Sequence, residues 1–183
     1  MSLLGKTAPA IKTNAVVQDE VRTDLSLESL AGDNGTLLFF YPCNFVASYA
    51  KELWALQEVL HVFEGMNVKV LGCSCDSVQA HQTWLGIPKA EGGIKGITFP
   101  LLSDTSKIIA SNFDVLAGDW DYTEKGQLSF SGTATAYPAS FFVDKTGIVR
   151  YISVTDFDMV RDVLECVRVV TTYLLDADTL KSK

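Results

Sequence analysis

No run of apolar residues in this 183-residue chain approaches the roughly 20 needed to span a bilayer. The N-terminus shows no signal-peptide hydrophobic stretch either. Basic residues are scarce: 15 lysines and arginines stand against 22 acidic residues, for a net charge of −7. That balance argues against nucleic acid or anionic membrane as a main partner, because both select basic surfaces. There are only two histidines, His61 and His81, and four cysteines, Cys43, Cys73, Cys75 and Cys166, with no Cys-x-x-Cys among them. A zinc site is therefore unsupported, and neither a metal nor another cofactor is expected. Four cysteines in a chain of this size do not make a disulfide framework. A reducing, cytoplasmic compartment is the expectation, and a removed organelle-targeting peptide is compatible with it.

What is present is the composition of a folded domain. Apolar residues make up 48% and aromatics 10% of the chain, which excludes disorder and low complexity. The length suits one domain spanning residues 1–183, with enough chain to bury a full core. Leu37-Leu38-Phe39-Phe40-Tyr41, ended by Pro42, predicts a buried strand. Leu53, Leu56, Leu60 and Phe63 recur at helical spacing before Gly65 and predict a helix over 49–63. A second buried strand is predicted over 68–75, with Asp76 and Ser77 placed to cap a helix over 78–85. A short strand at 99–102 and a helix over 105–113, with Asp104 as its cap, follow. A hairpin turns at Asp144-Lys145-Thr146-Gly147, and a closing helix covers 160–174. This order predicts an α/β fold with a mixed central sheet and helices on both faces.

Several stretches resemble one family. Gly5-Lys6-Thr7-Ala8-Pro9, Phe39-Phe40-Tyr41-Pro42, and Val70-Leu71-Gly72 running to Asp76-Ser77 look like the two-cysteine peroxiredoxins. So do His81-x-x-Trp84 with Pro88-Lys89-Ala90-Glu91-Gly92-Gly93, Pro100-Leu101-Leu102-Ser103-Asp104, and Phe142-Val143-Asp144-Lys145-x-Gly147-x-Val149-Arg150. The resemblance covers about residues 5–175 in one register and implies a thioredoxin-like fold of peroxiredoxin type. It also implies a homo-oligomer, a dimer or a ring of dimers. In the family, a loop Pro-x-x-x-Thr-x-x-Cys enters a helix and is followed by a Glu. The helix N-terminus and an Arg hold the cysteine as a thiolate. That thiolate attacks the peroxide O–O bond and becomes a sulfenic acid, while the Thr and Arg hydrogen-bond the peroxide.

This chain departs from the pattern at the chemistry. Pro42 and Glu52 hold the register, so Val46 occupies the threonine position and Tyr49 the nucleophile position. The family's Tyr-Arg-Gly-Leu-Phe aligns with Tyr137-Pro138-Ala139-Ser140-Phe141, which puts Pro138 at the arginine position. A phenol with a pKa near 10 cannot replace sulfur as the nucleophile. The Val-Cys-Pro of the family's C-terminal tail, which carries a resolving cysteine, also has no counterpart. The expectation is a redox-homeostasis homologue without peroxidase activity, serving as a binding, chaperone or regulatory protein. Co-assembly with active peroxiredoxins is one such role. The alternative is a thiol peroxidase that uses a relocated Cys43 with an external thiol reductant. Cys43 precedes the helix with no Arg evident beside it, and Cys73, Cys75 and Cys166 read as packing residues. The Tyr137–Pro138 bond, in a superfamily where a cis-proline often precedes this strand, is left open between cis and trans.

Residues 117–135, longer than the family's usual connection, contain Trp120, Tyr122 and Phe130 around Glu124-Lys125-Gly126-Gln127. The alternation predicts a hairpin projecting near the former active site. Its aromatics are either partner-binding anchors or a lid over the pocket.

Overall fold

The computed structural model describes residues 2–181, with side chains through Asp176. Its centre is the strand β3 (Gly35–Phe40), buried at every position. Leu37, Phe39 and Tyr41 point to one side of the sheet and Leu38 and Phe40 to the other, as the two-residue strand period requires. The neighbouring β4 (Val68–Ser74) alternates likewise. Val68 and Val70 join the first core, and Leu71 and Cys73 the second.

Each face is covered by helices, which separates two cores. On the first lie α2 (Ala47–Glu58), α3 (Leu60–Gly65), α4 (Val78–Gly86) and the closing helix α6 (Val163–Lys181). On the second lie α1 (Leu27–Leu30) and α5 (Ile108–Asn112). Cys73 and Cys166 are buried in these cores, and Cys75 packs against the second.

The strands form two ladders. One has the order β2-β1-β5-β4, with β1 (Lys12–Val17), β2 (Glu20–Ser26) and β5 (Leu101–Ser103). The other runs β3-β8-β9, with β8 (Ala139–Asp144) and β9 (Val149–Val154). They meet where β3 passes β4, with Tyr41 N–H donating to Cys73 O at 3.0 Å. β4 and β5 pair parallel and the other pairs are antiparallel, so the sheet is mixed. A separate ribbon pairs β6 (Leu116–Tyr122) with β7 (Leu128–Ala136).

Some local expectations shift. The helix predicted over 49–63 is two helices that meet at Val59, which has left helical geometry at ψ 4°. Ser77 alone caps α4, its Oγ accepting from Ala80 N at 3.2 Å. α5 begins at Ile108, later than predicted, because Asp104 reaches across a turn to accept from Ile109 N and Ala110 N at 3.1 and 2.7 Å. β1 and β2, which periodicity does not announce, are joined by Gln18 and Asp19, both at positive φ. At the far turn, Asp144 accepts from Thr146, Ile148, Arg150 and Tyr173, tying the β8–β9 hairpin to α6. Burial opposes its ionisation, but these bonds outweigh that and hold the carboxyl well below the usual carboxylate range.

Candidate active site

The corner between β3 and α2 gathers most of the residues singled out from sequence. Pro42 is buried just after the strand, and Val46 caps α2 with no side-chain hydrogen bond to offer its first turn. Tyr49 sits in that first turn, only 7% exposed. Its hydroxyl donates to Phe157 O across a long 3.5 Å contact. Burial, with smaller contributions from Cys43 and Glu52, raises the Tyr49 pKa, so the ring is neutral and its hydroxyl serves as a hydrogen-bond donor. Phe157 in turn stacks on Tyr137, with ring centroids 4.9 Å apart.

One turn along α2, Glu52 is buried and paired with Arg161, a residue that sequence reasoning missed. Arg161 Nη2 and Nε donate to Glu52 Oε2 at 2.6 and 3.1 Å, and the Arg161 backbone N–H donates to Oε1 at 3.0 Å. Its Nη1 donates to Ala139 O at 2.9 Å, and the guanidinium lies 3.5 Å over the Phe39 ring. A cation therefore does reach this corner, but from residues 155–162. Its donors engage Glu52 and Ala139, none of them Tyr49. The signal in the sequence was faint, an arginine between Val160 and Asp162 in the segment before the last helix.

Pro138 stands at the head of β8, beside this pair. Its peptide bond is trans, as are all those among the described residues, which resolves the open choice made from sequence. Pro138 leads the strand. Its carbonyl accepts from Thr155 N at 2.9 Å, extending the β8–β9 pairing by one step, and Tyr137 N donates to Val115 O at 2.7 Å.

Cys43 lies on the same corner, half-buried against the first core. Burial and then the Asp76 carboxylate raise its pKa above the ordinary 9.0, so it is a protonated thiol at neutral pH. The adjoining loop is fixed by a buried polar chain. Asn44 N–H donates to Asp76 Oδ2 at 2.8 Å, and Tyr41 Oη donates to Asn44 Oδ1 at 3.0 Å. Asn44 Nδ2 lies 3.1 Å from His81 Nδ1, and His81 Nε2 lies 3.1 Å from Leu102 O. A carbonyl can only accept, so Nε2 carries the proton and Nδ1 accepts from Asn44. Burial is the largest influence on His81 and lowers its pKa below the ordinary 6.5, against opposing effects of Leu102 O and Asp76.

That shift predicts a pH dependence. The unfolded chain takes up the histidine proton near 6.5 while the native state resists it. His81 thus contributes stability that is fully present above about pH 6.5 and is lost as pH falls through the lower native value. Urea unfolding midpoints should drop between pH ~7.5 and ~5 in the wild type, with a flatter dependence in His81→Asn. Equal slopes in the two proteins would contradict this account of the loop.

Trp120, Tyr122 and Phe130 lie on the β6–β7 ribbon. Trp120 pairs across the strands with Phe130, their centroids 4.8 Å apart. Among the described residues, no hydrogen bond or ring contact joins these aromatics to Tyr49. Nor do histidines, cysteines and carboxylates gather there in a group of three that could hold a metal. No helix among them is long and apolar enough to cross a membrane.

Known proteins resemble this architecture over nearly its whole length. The chain is 31% identical over 172 residues to peroxiredoxin-1 of Gallus gallus, covering 94% of itself and 79% of that protein. It is 34% identical over 166 residues to the mitochondrial thioredoxin-dependent peroxide reductase of Drosophila melanogaster, covering 91% of itself and 64% of that protein. The crystal structure of the reduced 2-Cys peroxiredoxin of Plasmodium vivax superimposes with a TM-score of 0.84 at 31% identity, over 97% of this chain and 85% of that one. Residues 4–152 match the AhpC/TSA family. With its thioredoxin-like mixed sheet and helices on both faces, the chain belongs to the AhpC/TSA family, the peroxiredoxins.

Proposed function

We propose that this chain is a redox-homeostasis member of its family that lacks peroxidase activity and works by binding other proteins. The observation that carries the reading is Tyr49. At the position the family resemblance gives to the nucleophile stands a buried, neutral phenol, its hydroxyl directed at Phe157 O. Two further positions support it. Val46 has no hydroxyl and Pro138 no guanidinium, so neither supplies the hydrogen bonds that orient a peroxide. Arg161, the cation that is present, is engaged by Glu52. In this reading the protein is a cytoplasmic homo-oligomer. It serves as a scaffold, holdase-type chaperone or regulator, co-assembly with active peroxiredoxins included.

The test is hydrogen peroxide consumption with thioredoxin or a dithiol as reductant, comparing wild type with Cys43→Ser. The expected result is no turnover above the uncatalysed rate in either protein. Turnover that vanishes in Cys43→Ser would replace this reading with that of a thiol peroxidase, Cys43 being its nucleophile and an external thiol its resolver. Turnover that survives the substitution would overturn it in favour of another of the four thiols.

A further inference from the structure

The β6–β7 ribbon is built with two unlike faces. The register sets Trp120 opposite Phe130 and Tyr122 opposite Leu128, and sets Asp119 opposite Ser131 and Asp121 opposite Ser129. Because side chains alternate along a strand, the first four residues share one face and the second four share the other. The apolar face is uncovered: Trp120 is 51% exposed, Tyr122 69% and Leu128 59%. At its base the face is flattened by Gly118 opposite Gly132. The Phe130 ring lies so close over Gly118 that a Cβ there would sit 2.6 Å from it. The tip closes through Gly126 N–H to Thr123 O and Thr123 N–H to Gln127 O, both 2.8 Å. A two-stranded ribbon is marginal by itself, and an exposed aromatic face of this kind marks an interaction surface.

Charge narrows the occupant. The ribbon carries Asp119, Asp121 and Glu124 against a single Lys125, within a chain of net charge −7. Among the described residues, no lysine or arginine forms an ion pair with those three carboxylates. Exposed indole and phenol faces favour cationic side chains by cation–π attraction, and Glu124 at the tip with Asp119 and Asp121 on the reverse face adds a Coulomb field of the same sign. Four side chains offer a few hundred Å² on this side, short of the roughly 600–800 Å² that each partner gives to a stable subunit interface, though enough for a short segment. A second acidic copy of this chain and an anionic lipid surface are both disfavoured by sign.

We propose that the Trp120–Tyr122–Leu128–Phe130 face is a docking surface for a basic, amphipathic segment of a partner protein. The segment's apolar stripe lies on the aromatics, and its lysines or arginines lie over the indole and phenol rings and beside Glu124 at the tip, within the field of Asp119 and Asp121 on the reverse face. This deepens the binding role proposed above and rests on it. The two fail separately, since peroxide turnover does not report on the ribbon and peptide binding does not report on turnover.

The probe is a fluorescently labelled synthetic helix of leucine and lysine, with its leucine–glutamate counterpart as control, titrated with the full chain and followed by anisotropy. The Leu–Lys peptide is expected to bind and the Leu–Glu peptide not to. Trp120→Ser/Tyr122→Ser should weaken binding about tenfold or more and, separately, Asp121→Asn/Glu124→Gln about threefold, with circular dichroism unchanged because these side chains are exposed. Equal binding of both peptides, or wild-type affinity in either double variant, would overturn the proposal. So would a wild-type self-association, or capture of phosphatidylcholine vesicles, that the Trp120→Ser/Tyr122→Ser variant loses. The first would make a second copy the occupant, the second a lipid surface.

Discussion

Arg161→Ala is expected to destabilise the protein by about 3–5 kcal/mol, the usual consequence of breaking a buried ion pair by removing one partner. The substitution leaves the Glu52 carboxylate 4% exposed with only the Arg161 backbone N–H as donor. It also strips Ala139 O of its Nη1 partner and uncovers one face of Phe39. Glu52→Ala should lose a similar amount, with the charge stranded on the other side. A double replacement by methionine is expected to recover much of the loss, because apolar side chains of similar volume need no counter-ion. Urea or guanidinium unfolding of the three variants reads all of this directly. A loss below ~1 kcal/mol in Arg161→Ala would mean that the pair is solvated and does not hold this corner.

The second large effect concerns two adjacent glycines that do different jobs. Gly93→Ala is expected to destabilise by about 3 kcal/mol or more, whereas Gly92→Ala should stay near 1–2 kcal/mol. A Cβ at Gly93 would fall 2.0 Å from Ile87 O, which is backbone and has nowhere to go. Moving the loop to accommodate it disturbs the buried Trp84 and the half-buried Trp54, since Trp54 Nε1 donates to Gly93 O at 3.2 Å and Trp84 Nε1 to Gly92 O at 3.1 Å. At Gly92 there is open space, and the penalty is only that of a left-handed backbone at φ 82°. Thermal or denaturant unfolding of the two variants separates them. Equal losses would show that conformation, not contact, governs the turn.

What the sequence made legible is what local chemistry decides. The buried runs at 37–41 and 68–75 became β3 and β4, and Ser77 caps α4 where a helix start was expected. The α2–α3 break at Val59 carries no glycine or proline, so the apolar period ran straight through it. The β1–β2 hairpin turns on Gln18-Asp19, residues that seldom announce such a turn. The last helix was started too early because Val160 completed its apolar pattern, yet Val160 is 76% exposed on the preceding loop. At the candidate site, the corner residues Pro42, Val46, Tyr49 and Glu52 were legible, being held in one register by the loop itself. Arg161 was not, because its partner lies 109 positions away in the chain and only the folded sheet brings the two together. The peptide geometry at Pro138 stayed open, since an X-Pro bond accepts either isomer and its local sequence does not choose between them.

The full burial of β3 has a consequence for how the chain finds its pairing. A strand with one wet face is protected against slipping by one residue, because the slip would turn its apolar set toward water. Along β3 both faces are apolar and dry, so the same slip would merely exchange the two cores and meet little hydrophobic resistance. Gly35 supplies the missing specificity. It adopts φ 133°, and a side chain there would meet Val143 O at 2.4 Å and the Phe142 ring at 2.9 Å. Advancing the strand by one position would bring Thr36 into that space. A single residue without a side chain, at the very end of the central strand, is the key that admits only one alignment.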